Sequence, residues 1–131
     1  MASPASLPDP QWGRNKTGKF PRPVHFDPEA SGLVGVGGIY VAWHAGVRPR
    51  WIYVARAADL AASFHALADN QAVMAYDING GVYVTWSRIR EEFRDGVVRY
   101  LTDSLRPLVA NPNAPRKAEP IAVLAPSTKT V

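Results

Sequence analysis

Two stretches in the first half of the chain are rich in β-branched and aromatic residues, a composition typical of β-strands. They span residues 37–44 and 51–56. The residues between them, 45–50, include a glycine and a proline, which favour a turn. The pattern predicts a β-hairpin, and if residue 44 pairs with residue 51, then Ala42 lies opposite Tyr53.

Because side chains alternate between the two faces of a strand, this pairing assigns each hairpin residue to one face of the sheet. The first face is entirely apolar and contains Ile39, Val41, Trp43, Ile52 and Val54. The second face is mixed and contains Tyr40, Ala42, His44, Trp51, Tyr53 and Ala55. We expect the first face to be part of the core.

Two helices are predicted from N-cap residues followed by apolar residues at helical spacing. Asp59 begins a helix through about Ala68, and Ser87 begins a longer one through about Leu105. Gly96 interrupts the second helix, which indicates a kink or a close approach of another segment. The apolar stripes comprise Leu60, Phe64 and Leu67 in the first helix, and Ile89, Phe93, Val97, Tyr100, Leu101 and Leu105 in the second.

A second hairpin is predicted between the two helices. Residues 72–78 and 82–86 read as strands, and Asn79-Gly80 between them is a strong two-residue turn signal. The order of elements is then two strands, a helix, two strands and a helix. This order predicts an α+β fold with a small antiparallel or mixed sheet of hairpins and helices packed on it.

Proline marks the ends of the predicted domain, since ten of the twelve prolines lie before residue 29 or after residue 111. We therefore divide the chain into a Pro-rich extended N-terminal arm at 1–32, the α+β domain at 33–111 and a Pro-rich C-terminal tail at 112–131. Both arms contain several large apolar side chains. Two interpretations stay open, disordered tails or extended segments that lie on a surface of this chain or of a partner.

Charge and composition narrow the function classes. The net charge is +4, but the three segments contribute only +1, +1 and +2, so nucleic-acid binding is permitted without being indicated. The absence of cysteine excludes disulfides, thiolate metal sites and a thiol nucleophile. No apolar run approaches the roughly 20 residues of a membrane span, and the N-terminus lacks the apolar stretch of a signal peptide. We expect a cytoplasmic protein with no membrane insertion.

One family resemblance covers residues 37–111. Gly38-Ile39-Tyr40 precedes Ile52-Tyr53-Val54-Ala55 so that the two tyrosines are thirteen positions apart, and a helix follows. The last predicted helix is followed by Pro107 and Asn111. In these residues and their spacing the chain resembles the GIY-YIG nuclease family.

The resemblance implies an active site that cuts a phosphodiester with one divalent metal, two hairpin tyrosines, an arginine and a glutamate. Tyr40 and Tyr53 match the tyrosines. The position of the family's arginine is Ser63, and the position of its metal-binding glutamate is Arg99. Because serine cannot neutralise a phosphate and arginine repels a cation, we expect a catalytically degenerate domain with no cofactor.

Neighbouring acidic residues provide weak metal candidates. Asp95 and Asp103 lie one helical turn on either side of Arg99, and a different register would let them hold Mg²⁺. The competing interpretation is a ladder of i,i+4 ion pairs on a solvated helix face.

Four residues of the first hairpin are candidates for binding phosphate: Arg48, Arg50, Arg56 and His44. The competing interpretation of His44 is a histidine at the hairpin end that is satisfied by backbone or solvent.

These observations lead to one leading hypothesis and two alternatives. The leading hypothesis is a non-catalytic structural or interaction module that docks through its arms into a larger assembly with protein partners. The first alternative is a divergent Mg²⁺-dependent endonuclease that uses Tyr40 and Tyr53. The second is a nucleic-acid-binding protein that does not cleave, for which affinity would fall steeply with salt.

Overall fold

The computed structural model describes residues 7–127 and has the predicted α+β class. Short 3₁₀ turns lie at Pro23–His25 and Ala75–Ile78. No helix within residues 7–127 has the length and apolar character needed to cross a membrane. The regular elements are β1 Gly38–His44, β2 Arg50–Ala57, α1 Leu60–Ala68, α2 Gln71–Met74, β3 Val82–Ser87 and α3 Glu91–Leu105.

The sheet has three strands in the order β2-β1-β3, and both pairings are antiparallel. The predicted second hairpin is therefore wrong, because residues 71–78 form α2 and a 3₁₀ turn rather than a strand. The Asn70 side chain caps α2 by accepting a hydrogen bond from the Val73 amide at 3.2 Å. Because residues 72–78 do not form a strand, β3 pairs with the central strand β1 instead.

The first hairpin is confirmed, with a different register at its turn. Ala42 lies opposite Tyr53 as predicted, but His44 pairs with Arg50 and not with residue 51. A bulge leaves Ile52 without a cross-strand partner, because Trp43 pairs with Trp51. The bulge reverses the predicted faces of two residues, so that Ile52 packs with Tyr53 while Trp51 packs on the opposite side of the sheet.

Both faces of the sheet are buried, in contrast to the one apolar and one mixed face that were predicted. On one side, the apolar stripe of α1 packs with Tyr40, and Asp59 caps this helix as predicted by accepting from the Ala62 amide at 3.3 Å. On the other side, α3 packs against Ile39, Val41 and Val54. We call these the α1 side and the α3 side.

The start of α3 differs from the prediction. Ser87 is the last residue of β3, and its hydroxyl donates to the Pro10 carbonyl instead of capping the helix. The helix begins at Glu91, and the buried residues are Gly96, Val97, Val98 and Leu101. The predicted stripe is therefore rotated, and Phe93 is 44% exposed.

Segments outside the regular elements lie along both edges of the sheet. On the β3 edge, the amides of Gly13 and Val84 donate to the carbonyls of Trp86 and Pro21 at 2.7 and 3.0 Å. On the β2 edge, the Leu108 and Val109 amides donate to carbonyls of β2 at 3.1 and 2.9 Å. Each edge is thus partly covered by a segment of the chain itself, which limits its pairing with another strand.

The two terminal segments also contact each other. The Trp12 indole donates to the Leu124 carbonyl at 2.8 Å, and the Leu124 amide donates to the Pro8 carbonyl at 2.9 Å. Phe20 and Val123 are buried at 3% and 6% exposure. The large apolar side chains of these segments thus contribute to the chain's own core.

Candidate functional site

Tyr40 and Tyr53 lie side by side on β1 and β2. Their ring centroids are 6.1 Å apart. Each tyrosine has an alanine directly opposite, since Tyr40 faces Ala55 and Tyr53 faces Ala42. The small alanines leave room for the two rings to meet as diagonal neighbours, so the register brings the predicted pair together.

Burial changes the acid–base character of the pair. Tyr40 is 7% exposed and packs against Phe64 of α1, with ring centroids 5.5 Å apart. Burial raises the pKa of Tyr40 far above its ordinary value, and a charge on Tyr53 would raise it further. Burial also raises the pKa of Tyr53. Both phenols stay protonated at neutral pH, so they are suited to donate hydrogen bonds and not to attack as phenolates.

Asn111 joins the pair from the segment after α3. The Tyr53 hydroxyl donates to Asn111 Oδ1 at 3.5 Å, which also accepts from the Asn113 amide at 2.9 Å. Asn111 Nδ2 donates to the Val54 carbonyl at 3.2 Å. From the sequence, Asn111 is expected only at the end of the domain, and its contact with Tyr53 is not predicted. The signal that could have found this contact is that Asn111, with Pro107, ends the pattern that resembles the GIY-YIG family.

The positions of the family's charged residues bring no charge to the tyrosine pair. Ser63 is half-buried on α1. Arg99 is on α3, which packs on the α3 side of the sheet, opposite to Tyr40 and Tyr53. Its Nε donates to Asp103 at 2.8 Å, and its Nη1 donates to the Arg116 carbonyl. The tyrosine pair therefore has neither the arginine nor the carboxylate that the resemblance implies.

The weak metal candidates are separated and paired with different arginines. Asp95 Oδ1 lies 2.9 Å from Arg56, which is also 3.7 Å from Glu91. Asp103 is bound to Arg99, as the predicted i,i+4 ladder requires, whereas Asp95 pairs with β2 and leaves the ladder incomplete. Residues 7–127 contain no group of three His, Asp or Glu side chains that could hold a metal ion. The residues at these positions do not fit a divalent cation.

The phosphate candidates do not form one patch. Arg48 and Arg50 are exposed at the turn of the hairpin. Arg56 lies near the other end of β2, about 20 Å away for a strand that rises ~3.3 Å per residue, and its guanidinium is bound to acidic residues of α3. The hairpin thus presents two arginines at one end and a neutralised one at the other.

His44 is the backbone-satisfied histidine of the competing interpretation. It is 7% exposed, and its Nδ1 accepts from the Gly46 amide at 3.4 Å. Its ring stacks on Tyr76 with centroids 5.8 Å apart and planes at 6°. These contacts fix the turn of the hairpin against the 3₁₀ turn before β3.

Comparison with family models, curated proteins and solved structures finds no significant match. The likeness to the GIY-YIG family therefore depends on the motif residues themselves. In this chain those residues bring together Tyr40, Tyr53 and Asn111, a hydrogen-bonding cluster without a strong charge.

Proposed function

We propose that this chain is a non-catalytic structural or interaction module with a GIY-YIG-like arrangement, which docks into a larger assembly. The proposal depends mainly on one surface. Val47 and Ile78 are 102% and 90% exposed, and both line one cleft at the turn end of the sheet. Two bulky apolar side chains this exposed at one end of a small domain are typical of a surface that a protein partner covers.

The loops that present this surface are held in place. The Ala45 amide donates to the Gly81 carbonyl at 3.1 Å, and the stacked rings of His44 and Tyr76 lie beneath. A preformed surface loses little conformational entropy on binding, which favours association. Arg48 lines the same cleft without any acidic neighbour in its lining, so acidic residues on the partner would be favoured.

The N-terminal arm approaches the same end of the molecule. Nη2 of Arg22 in the arm donates to both carboxylate oxygens of Asp77, at 2.9 and 3.0 Å, next to Ile78. Phe20 of the arm already packs within the chain, at 3% exposure. A partner docked here would therefore contact the outer side of the arm together with Val47 and Ile78.

The chemistry of the tyrosine pair supports the non-catalytic part of the proposal. Raised pKa values keep Tyr40 and Tyr53 protonated. The residue at the metal position, Arg99, carries a positive charge and is bound to Asp103. Hydrolysis of a phosphodiester needs an activated nucleophile and a cation that neutralises the developing negative charge, and this cluster of Tyr40, Tyr53 and Asn111 contains neither a base nor a cation.

Two experiments test the proposal. In the first, the tagged full chain is recovered from its own cells at physiological salt after nuclease treatment. We expect a stoichiometric protein companion with wild type and with Val34→Ser, a matched control at another exposed valine. The companion should be lost with Val47→Ser/Ile78→Ser. A strictly monomeric wild-type chain, or nucleic acid as its main companion, would overturn the interaction proposal.

The second experiment is nicking of plasmid DNA in Mg²⁺. We expect no cleavage above the buffer background. Cleavage that disappears in Tyr40→Phe would contradict the non-catalytic assignment and support the nuclease alternative.

A further inference from the structure

A basic cleft of about 480 Å³ lies between the end of α3 and the segment that follows it. Its lining residues include three arginines, Arg99, Arg106 and Arg116, together with Asp103 and Asn111. Its volume falls in the range of small-molecule sites in proteins. The lining therefore contains three basic residues and one acidic residue.

The charges of the cleft are not balanced within the protein. Asp103 is its single acidic residue and is bound to Arg99 at 2.8 Å. Arg106 and Arg116 are exposed, and neither forms an ion pair within residues 7–127. Like charges gathered in one concave surface repel each other and raise the local concentration of anions.

The walls of the cleft are fixed relative to each other. Arg99 Nη1 donates to the Arg116 carbonyl, which ties α3 to the segment across the cleft. Asn111 is held by its bonds to the Val54 carbonyl and the Tyr53 hydroxyl. The cleft is thus built before any ligand arrives, which favours binding.

Arg106 occupies an unusual backbone conformation for an arginine. It ends α3 with φ 51° and ψ 64°, the left-handed region in which glycine is the common residue at a helix end. An arginine in this conformation is disfavoured relative to glycine. Its presence there is explained if its guanidinium serves a purpose in the cleft.

We propose that this cleft binds the phosphate monoester of a small phosphorylated molecule. Guanidinium groups form paired, charge-assisted hydrogen bonds with phosphate oxygens, and a doubly charged phosphate offsets the excess of two positive charges left by Arg106 and Arg116. The remaining volume accommodates the organic part of the ligand, against the apolar surfaces of Pro107, Ala110 and Ala114. This site does not depend on the apolar surface at Val47 and Ile78.

The test uses inorganic phosphate and phenyl phosphate as probes on the full chain. Side-chain and backbone N–H resonances are followed by NMR during titration, with sodium chloride of equal ionic strength as the reference. We expect saturable shifts at Arg99 Nε–H and at residues 102–116, with tighter binding of phenyl phosphate than of inorganic phosphate. An oligonucleotide without terminal phosphates, which offers only diesters, should bind more weakly at these residues.

Three variants make the result specific. Arg106→Gly suits the left-handed backbone, so it should keep the fold while weakening phosphate binding about tenfold or more, the loss expected from charge-assisted hydrogen bonds. Arg116→Gln should weaken binding similarly. Lys117→Gln removes one positive charge beside the cleft without altering its lining and should leave the affinity within about twofold.

Three outcomes would overturn the proposal. The first is an absence of saturable shifts beyond those that sodium chloride causes. The second is an equal loss of affinity in Lys117→Gln and Arg106→Gly, which would indicate general attraction to a basic protein. The third is preferred binding of the oligonucleotide at residues 102–116, which would assign the cleft to a nucleic-acid backbone.

Discussion

The substitution Gly96→Ala tests whether the C-terminal segment packs on α3. A Cβ atom at Gly96 would lie 2.5 Å from Ile121 Cδ1 and 2.7 Å from the Glu119 carbonyl oxygen. The Ile121 amide donates to the Gly96 carbonyl at 2.9 Å, which holds the segment at this distance. The side chain of Ile121 can rotate, but the Glu119 carbonyl belongs to the backbone, so the segment itself must move.

Two opposing effects determine how much Gly96→Ala changes the free energy of unfolding. Alanine favours a helix over glycine by about 1 kcal/mol. Displacing the segment exposes Val123, which is 6% exposed in the fold, and part of Ile121. Full burial of such a side chain contributes roughly 1.5–3 kcal/mol, and the lost hydrogen bond from Ile121 adds about 1 kcal/mol. We expect Gly96→Ala to lower the free energy of unfolding by about 1–3 kcal/mol.

Urea unfolding measures this change, and Ser104→Ala is the matched control at an exposed position of the same helix. The control should be neutral or stabilising by up to about 0.5 kcal/mol, because alanine has the higher helix propensity. Amide exchange at Ile121 should be protected in wild type and fast in Gly96→Ala. If Gly96→Ala instead stabilises the protein by about 1 kcal/mol, the segment does not lie on the helix.

Four further substitutions probe other parts of the fold. Hydrogen bonds from the Val82 amide and then from Arg22 lower the pKa of Asp77 in the folded protein below its ordinary 3.8. Wild type should therefore have a higher free energy of unfolding than Asp77→Asn. This difference is full above pH 3.8 and declines as the pH falls through the lowered pKa of the folded state. Urea unfolding from pH 7 to pH 2 checks this, and an advantage independent of pH would contradict it. Phe64→Ala should lower the free energy of unfolding by about 3–5 kcal/mol, because Phe64 is 2% exposed. Phe93→Ala should lower it by less than about 1 kcal/mol, because Phe93 is 44% exposed. Equal losses in thermal unfolding would refute the orientation of α3. Trp12→Phe removes the hydrogen bond to Leu124 and should cost about 1 kcal/mol in urea unfolding, with faster exchange of the Leu124 amide; unchanged stability and exchange would show that the terminal segments do not meet.

The first hairpin and α1 could be predicted because local signals agree there. Residues 39–43 are all apolar or aromatic, four of the five have strong β propensity, and Asp59 caps α1 through its own side chain. The short apolar run at residues 72–78 was compatible with either a strand or a helix. The Asn70 side chain caps this segment and favours the helix. The bulge at Ile52 was equally hidden, because Trp51 and Ile52 are both apolar and either fits a buried face.

Part of the candidate site could also be predicted from the sequence, and part could not. The meeting of Tyr40 and Tyr53 follows from strand register, which the sequence pattern specified correctly at Ala42 and Tyr53. The position of Arg99 depends on which face of the sheet α3 covers, and helical spacing alone does not determine this. The arginine cleft could not be predicted from the sequence either. Arg106 and Arg116 are ten positions apart, and both line the cleft because the chain turns back after α3.

The prolines of the N-terminal segment explain how the β3 edge of the sheet is covered. A proline has a carbonyl that accepts a hydrogen bond but no amide that donates one. The carbonyls of Pro8, Pro10 and Pro21 accept from Leu124, Ser87 and Val84 respectively, so the arm satisfies donors of β3 and of the C-terminal segment. Because the prolines cannot donate in turn, the arm covers the edge without continuing the ladder to a further strand. The same composition that excludes helix or central strand from the terminal segments therefore suits them to cover the edge of the sheet.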